Sequence, residues 1–322
     1  EIMPYYYQMM KSEDIMKILV HFDREDTLER VKKVLPEELY QGAKDFGGVA
    51  VFCVSRFSSE GDDNGDRTGE KGDFYLTDTE QKMVNDVTAA FKHSVVVLNI
   101  GGMIDVSWIK NNPKIDAALL AWQAGMEGGL AIADILCGDV NPSGKLTDTF
   151  AKTFSDYPSA DSFNESDDYV DYFEDIYVGY RYFETFSKDD VLYPFGFGLS
   201  YTSFAYNNAK VIANAEDKVQ VSVEITNTGD RNGIEKAQVY AKYTDSRTVT
   251  PNFQLCAIKS VKIAAGEKAE VEFEIDRYWL KAVIEDGSRV DPDGKIEFYI
   301  GGHQPDSLSD RLTGYSCLRI EL

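Results

Sequence analysis

Residues 55–76 read SRFSSEGDDNGDRTGEKGDFYL and gather six carboxylates (Glu60, Asp62, Asp63, Asp66, Glu70 and Asp73) among four glycines. Such a stretch can hold a calcium ion, keep a surface loop solvated, or present one carboxylate for acid/base chemistry. The calcium pattern fails. Counted from Asp62, Asn64 and Asp66 fall on ligand positions, but Arg67 stands where glycine is required and Asp73 where a bidentate Glu is required. An apolar, strand-like run leads in where an EF-hand would have a helix. Two readings remain: a solvated acidic loop, or a loop that projects Glu60 from between the small residues Ser58, Ser59 and Gly61.

The elements around this stretch bear on the choice. GVAVFCV (48–54), SVVVLNI (94–100) and IDAALLAW (115–122) are continuous apolar runs. Between the first two, TDTEQKMVNDVTAAFKH has Thr77 and Glu80 at capping-box spacing, and Met83, Val87, Ala90 and Phe91 fall on one helical face. MEGGLAIADILCG (126–138) reads as a helix stopped by Gly138. Continuous apolar strands separated by helices predict a parallel sheet covered on both faces. In such a sheet ligands bind beyond the carboxyl ends of the strands. The Glu60 stretch, GGM after Ile100 and QAGMEGG after Trp122 would then share one edge. The GMEGG turn could cradle an anion at a helix start, but it matches neither GxGxxG nor a P-loop, and Glu127 would repel phosphate. No cofactor or metal motif is present.

Residues 1–155 therefore read as an α/β domain, and 156–205 as a long aromatic, acidic connection. The aromatic density of DIYVGYRYF argues for docking, with Tyr180, Arg181 and Tyr182 packed against a neighbouring domain. From 206 to 322 the apolar period becomes two, as in VQVSVEITNTG and KAEVEFEID. Turn signals fall between the runs, which predicts an all-β, fibronectin-like sandwich. That tail reads as a packing or oligomerisation domain, which admits a homo-oligomer. His93 reads as a helix-end residue, and Cys53 and Cys137 as reduced core residues. The formal charge of −22, from 55 acidic and 33 basic residues, argues against nucleic acid and anionic membranes as partners. No apolar run approaches ~18 residues, so no membrane span is expected. With no leader visible in the chain as given, a cytoplasmic location is the expectation.

NIGGMIDVSW, LAWQAGMEGGLAIADILCGDVNPSGKLTDTF, EDIYVGYRYFETF and YPFGFGLSYTSF, in that order, resemble glycoside hydrolase family 3, the β-glucosidase family, over about residues 35–322. The resemblance implies a partial α/β sandwich domain followed by a fibronectin type III-like domain. In the family a TIM-like barrel carries a nucleophilic Asp, and the α/β domain lends an acid/base Glu from a loop reading S-G-E-G-x-D-R. SSEGDDNGDR is similar to that loop, which puts Glu60 on the acid/base position and makes Asp66 and Arg67 candidates for shaping the loop or touching sugar. Ser59 replaces the usual glycine, and DNG is inserted before Asp66. No Ser-Asp-Trp stretch is present, and there are too few βα units for a barrel. The resemblance thus implies part of a retaining, exo-acting β-glucosidase. A β-glucoside or short oligosaccharide would be its substrate and a barrel domain or chain its partner, and it would be inactive alone. β-Xylosidase or another exo-glycosidase is the alternative within the class. A noncatalytic carbohydrate-binding or assembly module is the alternative outside it.

Overall fold

A computed structural model describes residues 48–56, 58, 71–162, 166 and 168–322. Glu60, Asp66, Arg67 and the stretch LPEELYQGAKDF (35–46), whose sequence reads as a helix, lie outside the described residues. The chain divides between Ala133 and Asp134 into two compact units.

The first unit holds a parallel sheet in the order β1–β2–β3, with β1 at Val49–Arg56, β2 at His93–Ile100 and β3 at Ala117–Leu120. Seven of the eight β1 residues are buried, as a continuous apolar run requires of a strand covered on both faces. Between β1 and β2 runs α1 (Asp78–Ala90), which buries Met83, Val84 and Val87. The capping box forms as its spacing predicts: Glu80 N donates to Thr77 Oγ1 at 3.1 Å and Thr77 N to Glu80 Oε2 at 2.8 Å. α2 (Ser107–Lys110) follows β2.

Three expectations need correction. β3 is shorter than the apolar run, and Ala117 and Ala118 are exposed, because among the described residues this strand pairs with β2 alone and its small side chains cover little. His93 opens β2, since the helix stops at Ala90. α3 (Gly128–Cys137) buries only Gly128 and Ala133, so Cys137 at its end is exposed, and an apolar neighbourhood in sequence did not make it a core residue. Cys53 is buried as expected, and burial pushes its thiol pKa up. No disulfide joins the four cysteines.

In the second unit β4 (Phe150–Ala151) and β5 (Val191–Tyr193) form a small antiparallel pair around α4 (Tyr180–Phe186). Next come β6 (Phe204–Asn214), β7 (Lys218–Asn227), β8 (Gly233–Thr244), β9 (Gln254–Ile263) and β10 (Lys268–Asp276). A short hairpin of β11 (Ala282–Val283) and β12 (Arg289–Val290) precedes β13 (Lys295–Gly301), α5 (Ser307–Thr313) and β14 (Leu318–Glu321). Sheets β10–β7–β6 and β14–β13–β8–β9 make the predicted sandwich. Val219, Val221, Val223 and Ile225 of β7 face Ala237, Val239 and Ala241 of β8 across one core, joined by Phe273, Phe298 and Ile300.

β8 departs from simple alternation because its second face is also covered. Tyr240 is fully buried under Tyr180, whose ring meets it edge-on at 6.2 Å and stacks on Phe195 at 4.5 Å. Gln238 Nε2 donates to Gly196 O at 3.0 Å. The aromatic connection therefore docks on the outer face of the four-stranded sheet. NPSGKL and YPFGFGLSYTSF are also partners. Leu146 N donates to Phe197 O and Gly196 N to Leu146 O, each at 2.8 Å, while Asn141 Oδ1 accepts from Ser200 Oγ and Tyr201 N, each at 2.8 Å. Gly198 must be glycine, since a Cβ there would lie 2.2 Å from Gly144 O. Among the described residues no helix is long and apolar enough to cross a membrane.

Candidate active site

The carboxyl ends of the three parallel strands, at Arg56, Ile100 and Leu120, lie side by side: Arg56 is in register with Ile100, and Leu98 with Leu120. The three loops that leave them share one edge, as the parallel reading requires. Immediately past β2, Gly101 has room for no side chain. A Cβ there would lie 2.6 Å from both Ser58 Cβ and Gln123 Nε2. Gln123 Nε2 in turn donates to Ser58 O at 2.7 Å, so the start of the acidic stretch is tied to the loop after β3. The preceding residue, Trp122, has φ of 50°, a left-handed conformation that costs a bulky side chain about 1–3 kcal/mol and persists only where its surroundings hold it.

The base of the stretch is clamped from inside. Arg56 Nη1 and Nη2 donate to Glu80 Oε1 and Oε2 at 2.7 and 2.9 Å, a two-pronged pair with both side chains buried. Arg56 also serves three backbone carbonyls: Nε donates to Asp73 O at 2.8 Å, Nη1 to Ser55 O at 2.8 Å and Nη2 to Tyr75 O at 3.3 Å. One guanidinium thus joins the entry of the stretch, at Ser55, to its exit, at Asp73 and Tyr75. The same Glu80 closes the capping box, so the clamp is fixed to the first turn of α1. The exit is anchored again where Asp105 N, after β2, donates to Phe74 O at 2.9 Å. Asp73, one of the six carboxylates, is buried at this anchored end.

Of the residues singled out in the sequence, Glu80 and Ser58 are described here, and Glu60, Asp66 and Arg67 fall outside the described residues. Arg56, Gly101 and Gln123 were not singled out. Arg56 left a signal, since a cation ending a fully apolar strand needs a buried carboxylate. Gln123 left none, because its partner is a backbone carbonyl 65 residues away. At the opposite edge of the sheet Asp116 accepts from Ser94 N at 2.8 Å, and that bond, helped by His93, holds its carboxyl below the usual range. Among the described residues the carboxyl raised furthest belongs to the second unit. Burial, with Asp306 nearby, pushes Glu184 up to about 7 against the pull of Lys188. It is packed among Gln304, Lys188 and Asn252 and serves the fold there. Among the described residues no cluster of His, Cys, Asp and Glu is arranged to hold a metal ion.

The family model for the glycosyl hydrolase family 3 C-terminal domain matches residues 28–201, and that for a fibronectin type III-like domain matches residues 235–304. The chain is similar to Beta-glucosidase A of Butyrivibrio fibrisolvens, 39% identical over 298 residues, covering 82% of this chain and 35% of that protein. It is also similar to an exo-alpha-(1->6)-L-arabinopyranosidase of Bifidobacterium longum, 35% identical over 202 residues, covering 61% of this chain and 26% of that protein. β-Glucosidase 3B from Thermotoga neapolitana, solved in complex with glucose, superposes with a TM-score of 0.79 at 34% identity, over 99% of this chain and 43% of that one. The chain thus spans about a third of the length of the curated relatives it matches. A parallel sheet with a tethered acidic stretch at its carboxyl edge, followed by a fibronectin-like sandwich, places this chain in glycosyl hydrolase family 3, of which it carries the C-terminal and fibronectin type III-like domains.

Proposed function

We propose that this chain supplies the general acid/base, Glu60, of a retaining, exo-acting β-glucosidase whose nucleophilic Asp sits on a barrel outside these 322 residues. The observation that carries the reading is the tie at Ser58. Glu60 stands two positions after Ser58, so the chain cannot carry the Glu60 Cα more than about 7.6 Å from that of Ser58. Covalent reach alone keeps this carboxyl near the edge where a parallel sheet offers a ligand site.

In the first half-reaction Glu60 gives its proton to the glycosidic oxygen as the anomeric C–O bond breaks and the barrel carboxylate forms the new one. In the second, the Glu60 carboxylate takes a proton from water as the water oxygen bonds to the anomeric carbon and displaces the barrel carboxylate from it. Two carboxyl groups about 5–5.5 Å apart are needed for this, and one of them is absent from this chain. Closure of the barrel and sugar over Glu60 would desolvate it and raise its pKa, which suits a proton donor at neutral pH.

The experiment is Glu60→Gln in the enzyme with its barrel present. Turnover of alkyl β-glucosides should collapse, and azide should restore turnover of activated aryl glucosides as a glycosyl azide. No azide rescue would reject the acid/base role. The chain alone should not turn over an aryl β-glucoside. The arabinopyranosidase relative favours a second reading on one point only, the sugar: the same acid/base loop can serve a pentopyranoside if the missing barrel shapes the pocket for it.

A further inference from the structure

We propose that Gln123 is a positioning residue for the acid/base loop, acting through the carbonyl of Ser58; the inference rests on the reading of Glu60 given above. Four observations converge. Gln123 Nε2 donates to Ser58 O at 2.7 Å. Gly101 lies beneath that contact with no room for a Cβ, so the end of β2 serves as the floor on which Ser58 and Gln123 meet. The left-handed backbone of Trp122 turns the chain immediately before Gln123. Arg56, two residues before Ser58, is held by five hydrogen bonds, so the chain enters the loop from a fixed point. Between that point and Glu60 the Gln123 bond is the remaining tie among the described residues.

Such a tie has a chemical use. A general acid must sit within hydrogen-bond reach of the leaving oxygen, and a misplacement of about 1 Å can cost on the order of 100-fold in rate. Gln123 is exposed, so it contributes little to burial, and its value lies in where it holds the chain. An amide suits this role better than a cation would. It donates to the Ser58 carbonyl without adding a positive charge, and a cation near a general acid favours loss of its proton.

The test compares two leaving groups in the enzyme with its barrel present. An alkyl glucoside needs proton donation, and a 2,4-dinitrophenyl glucoside does not. Gln123→Ala and Gln123→Glu, which cannot donate to Ser58 O, should each lower kcat/KM for the alkyl glucoside roughly 10- to 100-fold while changing the dinitrophenyl substrate by less than about 3-fold. The unfolding midpoint should stay at that of the parent. Gly101→Ala, which forces Ser58 and Gln123 apart, should give the same pattern. Equal losses on both substrates, or no loss on either, would overturn the positioning role. Glu60→Gln is run alongside. If it shows the leaving-group pattern and Gln123→Ala does not, this inference falls alone; if Glu60→Gln lacks the pattern, the acid/base reading falls and takes the inference with it.

Discussion

The Arg56–Glu80 clamp gives the most quantitative prediction. Arg56→Met removes five N–H···O bonds, two to Glu80 and three to backbone carbonyls, from a position only 9% exposed. Glu80 is 4% exposed and would be left as a buried carboxylate with the helix cap as its remaining partner among the described residues. Removing one member of a buried pair costs about 3–5 kcal/mol, most of it the cost of the charge left behind. Replacing both, as Arg56→Met with Glu80→Leu, removes that charge. It still opens the capping box, at about 1 kcal/mol, and takes one donor each from the Ser55, Asp73 and Tyr75 carbonyls, of which Tyr75 O keeps the Gly72 N–H, at about 1–2 kcal/mol more. The double variant should therefore lose about 2–3 kcal/mol, less than the two singles summed. Amide hydrogen exchange at Val51–Val54 reads this directly, since the two units need not unfold together and a single global free energy is then ill-defined. Protection in β1 should fall by roughly two to four orders of magnitude in Arg56→Met and should vary little with salt. A loss under about 1 kcal/mol, or singles that simply add, would refute the claim that this pair holds the base of the acidic stretch.

Two further expectations concern the second unit. The folded-state pKa of Glu184 is raised to about 7 by burial, above the unfolded value near 4.5, so the folded state binds the proton more tightly. Its contribution is full below about pH 4.5 and is lost as pH rises to about 7, on the order of 3 kcal/mol in all. Glu184→Gln should match the parent at about pH 4 and exceed it at about pH 8 in denaturant unfolding, and an equal difference at both pH values would refute this. Tyr180→Phe keeps the stack on Phe195 but removes the hydroxyl that accepts from Leu255 N at 2.8 Å, next to a bulge where β9 skips Cys256 in its pairing with β8. A loss of about 1–3 kcal/mol and faster exchange of the Leu255 amide are expected; an unchanged Leu255 exchange rate would rule the bond out as a stabiliser.

What the sequence disclosed here was local or periodic. The continuous apolar run of β1 announced a strand buried on both faces, Thr77 and Glu80 announced a helix start, and Val219 to Ile225 announced one face of a sandwich. What it hid was decided at a distance. Glu80 could be read as a capping residue from its spacing, but its second duty depends on an arginine 24 positions earlier that only the parallel sheet brings alongside. Cys137 shares the composition of a core helix, but which side of that helix is covered is a matter of packing. Tyr240 and Gln238 sit at positions that alternation would give to solvent, and they are buried because Tyr180 and Gly196 of the upstream connection lie over them. The acidic stretch was recognisable by its glycines and its neighbours, and the tie that fixes its start was not, since a backbone carbonyl has no sequence signature.

The docking of the aromatic connection on β8 means that the sandwich is not a portable module. A cut just before Phe204, where the alternating strands begin, would keep every strand of both sheets and still strip the cover from Tyr240 and Gln238. An excised sandwich would present an aromatic, hydrogen-bonding face to water and invite association through it. Grafting or expressing this tail as an independent piece therefore requires carrying the segment from Asn141 onward. The unit that folds is larger than the one that repeats the strand pattern.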